Sequence, residues 1–133
     1  MNASLPASEA LSVYDEKTMK SFDWSSVPRE DLNPLFGRQC IHTQTMTVAR
    51  IYIKKGGIVP THSHHNEQVS MCDSGLLRFL FDGKEVMLGP GQALVIPPSV
   101  SHSAEALEDF SGMDIFSPER QDWITGTDAY LRR

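Results

Sequence analysis

The sequence has little cysteine, no excess of positive charge and no long apolar run. Its two cysteines, Cys40 and Cys72, form no C-x-x-C pair and are too few for a disulfide framework. Both are expected to be free thiols in a reducing compartment. The 12 Lys and Arg against 17 Asp and Glu leave a net charge of −5, which offers no broad attraction to nucleic acid or to an anionic membrane. No window approaches the roughly 18 apolar residues of a membrane-spanning helix. The start, M-N-A-S-L-P-A-S-E-A, has neither the basic residues nor the apolar run of a signal peptide. The expectation is a cytoplasmic protein with no nucleic-acid and no membrane partner. Internal repeats and low-complexity tracts are also missing.

What is there suits one domain with one core: 133 residues, 40% apolar and 22% charged. Residues 1–40 are poorly periodic and read as an N-terminal arm, with the first ten residues loose. Trp24, Leu35 and Phe36 are the side chains able to anchor that arm on the body or on a second subunit. From about residue 44 the character changes. T-M-T-V-A-R-I-Y-I-K-K is β-branched and aromatic and stops at Gly56-Gly57. Short runs follow, Q-V-S-M-C, L-L-R-F-L-F, K-E-V-M-L, A-L-V-I and M-D-I-F, each closed by Gly, Pro, Asp or Ser. Asp82-Gly83 is a tight-hairpin signal, because both residues tolerate positive φ. This pattern predicts an all-β sandwich or small barrel over 41–118. P-E-R-Q-D-W-I-T opens a short helix in the tail, 119–133, with Pro118 and Glu119 suited to its first turn.

The stretch T-H-S-H-H-N-E-Q-V, residues 61–69, concentrates side chains that bind metals. On an extended strand, residues of equal parity share a face. His62, His64 and Gln68 then point one way, His65 and Glu67 the other. A bulge near Asn66 would reverse the later assignments and make Glu67 the rival ligand. Two imidazoles rarely hold an ion alone. His102, delivered by the stiff Pro97-Pro98 turn, is the natural third, while His42 reaches the site only if its strand crosses the same interior.

The spacing around these residues resembles the two signature motifs of the cupin superfamily. From Gly56 it reads G-(five)-His62-S-His64-(three)-Gln68-(six)-Gly75, and from Gly91 it reads G-(five)-Pro97-P-Ser99-(two)-His102. Gln68 stands where the motif usually has glutamate and Ser99 where it usually has glycine. Ala106 replaces a frequent asparagine. The superfamily implies a single-domain β-barrel (a double-stranded β-helix or jelly roll) with a divalent ion in its mouth, usually in a dimer. Three imidazoles and an amide leave a divalent ion its full charge, which favours anionic oxygen ligands. Such a shell suits Ni, Fe, Mn, Co or Zn.

Downstream, M-D-I-F-S-P-E-R-Q-D-W, residues 113–123, supplies the rest of a site. Asp114 and Phe116 share a parity. Arg120 leaves the strand after Pro118 and is suited to clamp a carboxylate, or else to pair with Glu119 or Asp122. H-S-H-x-x-E-Q with D-I-F-S-P-x-R-x-D is similar to the pectin-degradation protein family of cupins. That resemblance implies conversion of 4,5-unsaturated monouronates, released from pectin or alginate, to linear 5-keto-4-deoxyuronate. It implies metal ligands His62, His64, Gln68 and His102, with Asp114, Phe116 and Arg120 acting on the substrate, a small anionic sugar acid. The assembly it implies is a homodimer. Two other readings are open on these residues: a cupin dioxygenase acting on an enol or diketone, and a non-catalytic barrel that binds a sugar or carboxylate. Cys72 shares the Gln68 parity and so falls on the metal side by simple alternation.

Overall fold

The computed structural model describes residues 19–132, so the looseness expected of the first ten residues concerns a segment outside them. Eight strands follow in order: β1 Glu30–Asn33, β2 Phe36–His42, β3 Thr47–Ile53, β4 Ile58–His62, β5 Glu67–Phe81, β6 Lys84–Leu88, β7 Ala93–Ile96 and β8 His102–Ser117. One short α-helix, α1, covers Gln121–Thr125, and single 3-10 turns cover Trp24–Ser26 and Ala129–Leu131. No helix among the described residues is long and apolar enough to cross a membrane.

The antiparallel pair β5–β8 is the spine. β3 pairs with β8 over 110–116 and β4 pairs with it over 102–105. On the other side, β6 pairs with β5 over 77–81 and β7 over 68–71. D-S-G does not end a strand, as its turn chemistry suggests. β5 runs through it because β8 stays alongside, while the register slips three times between Cys72 and Leu77. Gly75 sits at these slips with φ 91°, and a Cβ there would overlap the Asp109 carbonyl. Asp82-Gly83 does make the tight hairpin, with φ of 38° and 81° and Phe81 paired to Lys84.

The expected closed β-barrel does not form. The hydrogen-bonded path runs β1-β2-β3-β8-β5-β6, with β4 and β7 attached to its sides, and its ends β1 and β6 do not pair. The domain is all-β with short helices, built on one open sheet curled around a single core of Phe36, Ile51, Leu77, Phe79, Leu88 and Phe110. The C-terminal tail fastens to the β1–β2 end of this path through side chains. Leu131 O accepts from Asn33 Nδ2 (3.1 Å), Arg132 pairs with Glu30 (2.8 Å), and buried Asp128 pairs with buried Arg38 (2.7 Å). The last contact lies off the hydrogen-bond direction and is held by charge.

Among the described residues, the segment from Trp24 to Phe36 lies on the body of its own chain. Gln39 Nε2 donates to the carbonyls of Trp24 (2.9 Å) and Val27 (2.8 Å), and Leu32 and Phe36 enter the core. In the tail, α1 starts later than Pro118 and Glu119 suggest. Arg120 occupies its N-cap and Gly126, at φ 72°, ends it.

Candidate metal centre and adjoining pocket

The chain alternates strictly through the histidine stretch. His62, His64, Asn66 and Gln68 turn inward, while Thr61, Ser63, His65 and Glu67 are exposed. No bulge reverses the order at Asn66, because its side chain is tied down: Nδ2 donates to the carbonyls of Pro118 (2.6 Å) and Glu119 (3.1 Å). The Pro97-Pro98 turn brings His102 into register opposite His62. His62, His64 and His102 offer ligand atoms that all lie within 4.8 Å of one another, a cluster able to coordinate a divalent metal ion. His42 is not among them; its Nδ1 lies 2.7 Å from Thr47 Oγ1.

Hydrogen bonds orient all three rings. Nδ1 of His62, His64 and His102 meets the carbonyl of Pro60 (2.8 Å), Asn66 (3.1 Å) and Val100 (2.8 Å) respectively. A carbonyl only accepts, so each Nδ1 carries the proton and each Nε2 presents a lone pair. Burial pushes the His62 and His64 imidazoles down to about 4 and lowers that of His102, so the cluster is neutral at pH 7. Gln68 Nε2 donates to Ser70 Oγ (2.9 Å), which turns Oε1 toward His64 Nε2 at 3.1 Å. Two lone pairs then face each other with no proton between them. A cation relieves that opposition, so the donor set fits a divalent transition ion.

Ser99, in the turn that carries His102, has φ 66°, and its N–H donates to the His64 carbonyl (2.7 Å). The backbone is held there in a left-handed conformation that glycine adopts without strain. Ser99→Gly is expected to raise the unfolding free energy by about 0.5–1 kcal/mol, read as a higher urea midpoint at unchanged slope. A lower midpoint would show that the serine is unstrained there.

Beside the histidines lies the downstream segment. Asp114 on β8 stands opposite Ser70 on β5 and Ala49 on β3. Burial pushes its carboxyl up to about 6, against hydrogen bonds from Ser70 and Gln68 and the nearby Arg120 charge. Phe116 is buried with its ring edge-on to His64 (5.7 Å) and to Trp123 (4.9 Å), which makes it a wall. Arg120 is buried, and it pairs with the half-buried Asp122. Nε and Nη2 reach Asp122 at 3.0 and 2.9 Å, and Nη2 also donates to Tyr130 Oη at 2.8 Å. Its backbone N–H donates to Thr47 Oγ1 (2.9 Å), so His42 acts behind the site as a support for this turn.

His62, Gln68, His102, Asp114, Phe116 and Arg120 line one cavity, and Trp123 and Tyr130 line it with them. Cys72 faces the core, its thiol 3.6 Å from the Gly75 carbonyl. Ser70, Trp123 and Tyr130 adjoin these groups, and the motifs do not mark them. Ser70 had a signal, since it shares the parity of Gln68. Nothing local singles out Tyr130.

The cupin domain family matches residues 49–116, just over half of the chain. This chain is a cupin. KdgF from Halomonas sp. is 28% identical to it with a TM-score of 0.74, over 80% of this chain and 99% of that one. An RmlC-like cupin from Shewanella frigidimarina NCIMB 400 is 26% identical with a TM-score of 0.74, over 80% and 96%. Oxalate decarboxylase of Bacillus subtilis, a protein with Mn(II) centres, is 18% identical over 78% of this cupin and 31% of that chain, with a TM-score of 0.66, and shares the fold alone. No curated protein matches the sequence. The family span contains the three histidines, Gln68, Asp114 and Phe116. Arg120, Trp123 and Tyr130 lie beyond it, in this cupin's own tail.

Proposed function

We propose that this cupin opens 4,5-unsaturated monouronates to linear 5-keto-4-deoxyuronate. The observation that carries the reading is a single cavity in which neutral imidazoles and an amide oxygen adjoin one carboxyl, Asp114, and one guanidinium, Arg120. Similarity to KdgF, of the unsaturated-monouronate cupins, supports it. His62, His64, Gln68 and His102 would hold a divalent ion, which supplies positive charge to stabilise oxygen anions of the substrate.

The remaining work falls to the chain's own side chains. Arg120 binds the substrate carboxylate and orients the ring, while Phe116 excludes water from one side. Asp114 takes the proton of the anomeric hydroxyl as the bond from C1 to the ring oxygen breaks. C1 becomes an aldehyde, and the ring oxygen keeps the electron pair of the broken bond as an enolate oxygen on C5. Asp114 then returns the proton to C4, which leaves a ketone at C5. Atoms and electrons balance without an oxidant. The homodimer and the cytoplasmic setting belong to the same proposal.

The test is anaerobic. Protein loaded separately with Mn, Fe, Co, Ni or Zn is mixed with a 4,5-unsaturated monouronate, and loss of alkene absorbance in the ultraviolet is followed. Wild type is expected to accelerate the loss with at least one metal, and His64→Ala to leave the rate of the protein-free control. No acceleration with any of the five would sink the reading.

A further inference from the structure

The donors around Arg120 do not add up to a complete carboxylate clamp. A guanidinium has five N–H groups, and a carboxylate takes two donors in parallel. Here Nε spends its hydrogen on Asp122 Oδ1, and Nη2 spends both of its own on Asp122 Oδ2 and Tyr130 Oη. Nη1 alone has no partner among the described residues, and its two N–H groups diverge, so they cannot meet both oxygens of one carboxylate in parallel. A second donor for an incoming carboxylate has to come from a neighbouring side chain.

Two neighbours have one to give. Tyr130 Oη accepts from Arg120, so its own hydroxyl proton remains available. Trp123 is 6% exposed, and its indole N–H has no acceptor; it lies on the side of the Tyr130 hydroxyl but outside hydrogen-bond geometry. A buried donor of that kind is rare unless something else completes it. Neither ring is free to turn away. The guanidinium groups of Arg38 and Arg120 lie against the Trp123 ring at 4.1 and 4.5 Å. Tyr130 stacks on His62 at 4.7 Å, which fixes its hydroxyl relative to the histidine cluster.

We infer that Trp123 and Tyr130 complete the carboxylate subsite with Arg120, and that these two residues set the preference of this cupin for an acid sugar over an uncharged one. The inference rests on the proposed uronate reading and names residues that reading does not use.

Calorimetric titration of the zinc-loaded protein with D-glucuronate and with D-glucose tests it. Wild type is expected to bind glucuronate at least tenfold more tightly. Tyr130→Phe and Trp123→Phe should each weaken glucuronate binding by about tenfold, with glucose and zinc affinity unchanged. With the unsaturated uronate, KM should rise in both variants while kcat stays within about threefold. Tyr130→Phe removes one oxygen atom, so it keeps the test decisive if Trp123→Phe fails to fold. Unchanged glucuronate affinity in the folded variants overturns the subsite and leaves the uronate reading intact. Loss of acid preference in the variants, without wild-type turnover, upholds the subsite and removes the reaction. A wild type with no preference for the acid overturns the subsite.

Discussion

Asp128→Ala is expected to lower the unfolding free energy by about 3–5 kcal/mol, a large part of the roughly 5–15 kcal/mol that holds a domain of this size together. Asp128 is 0% exposed and Arg38 is 1% exposed, with 2.7 Å between Oδ2 and Nη1. Removing the carboxylate leaves the Arg38 charge buried with only the half-exposed Glu30 (3.0 Å) to answer it. The same change leaves Arg132, whose Nε donates to Asp128 Oδ1 (3.0 Å), with Glu30 alone, and so loosens the turn that carries Tyr130. Urea denaturation measures the loss. The double variant Arg38→Met, Asp128→Leu should recover most of it, because no unpaired charge then remains. A loss below about 1 kcal/mol for Asp128→Ala would mean that this ion pair does not fasten the tail.

The second large effect falls on the proposed chemistry. Asp114→Asn is expected to lower kcat for the unsaturated uronate by about 10²–10⁴-fold, the usual contribution of a positioned acid–base group. Asparagine keeps the shape, and its oxygen still accepts from Ser70, so the pocket should remain formed. What it loses is the ability to take a proton from the anomeric hydroxyl and return it to the alkene carbon. Zinc affinity and KM should change little, which separates proton transfer from binding. A kcat within tenfold of wild type would assign the proton to another group. Ser70 would be next in line, since Gln68 holds its hydroxyl beside Asp114.

Parts of this site were legible because they are short-range. The shared facing of His62, His64 and Gln68 is what two-residue alternation gives, and the burial pattern keeps that alternation even though the strand is broken after His62 and bends at His65-Asn66 before β5 begins. The Asp82-Gly83 hairpin and the stiff turn before His102 likewise depend on residues next to one another. Other parts were not. Arg120 reads as either a substrate clamp or a partner of Asp122, and local sequence cannot separate these; in the folded chain it lines the cavity while paired to Asp122. D-S-G carries the chemistry of a turn, yet β5 continues through it because β8 lies alongside and supplies the partner groups.

The closed barrel marks the same boundary. Counting strands and matching motifs leads to a closed sheet, but closure requires the first and last strands of the path to meet. Glu30 and Arg132, 102 residues apart, instead join a strand edge to the tail by a salt bridge. Local sequence is enough for the all-β character, the Asp82-Gly83 hairpin and the inward set His62, His64 and Gln68, because those follow from backbone geometry over a few residues. The open sheet, the neutralisation of Arg38 by Asp128 and the place of Trp123 and Tyr130 beside Arg120 emerge in the folded chain alone. Each of these joins segments far apart in the chain, and no local periodicity encodes such a meeting.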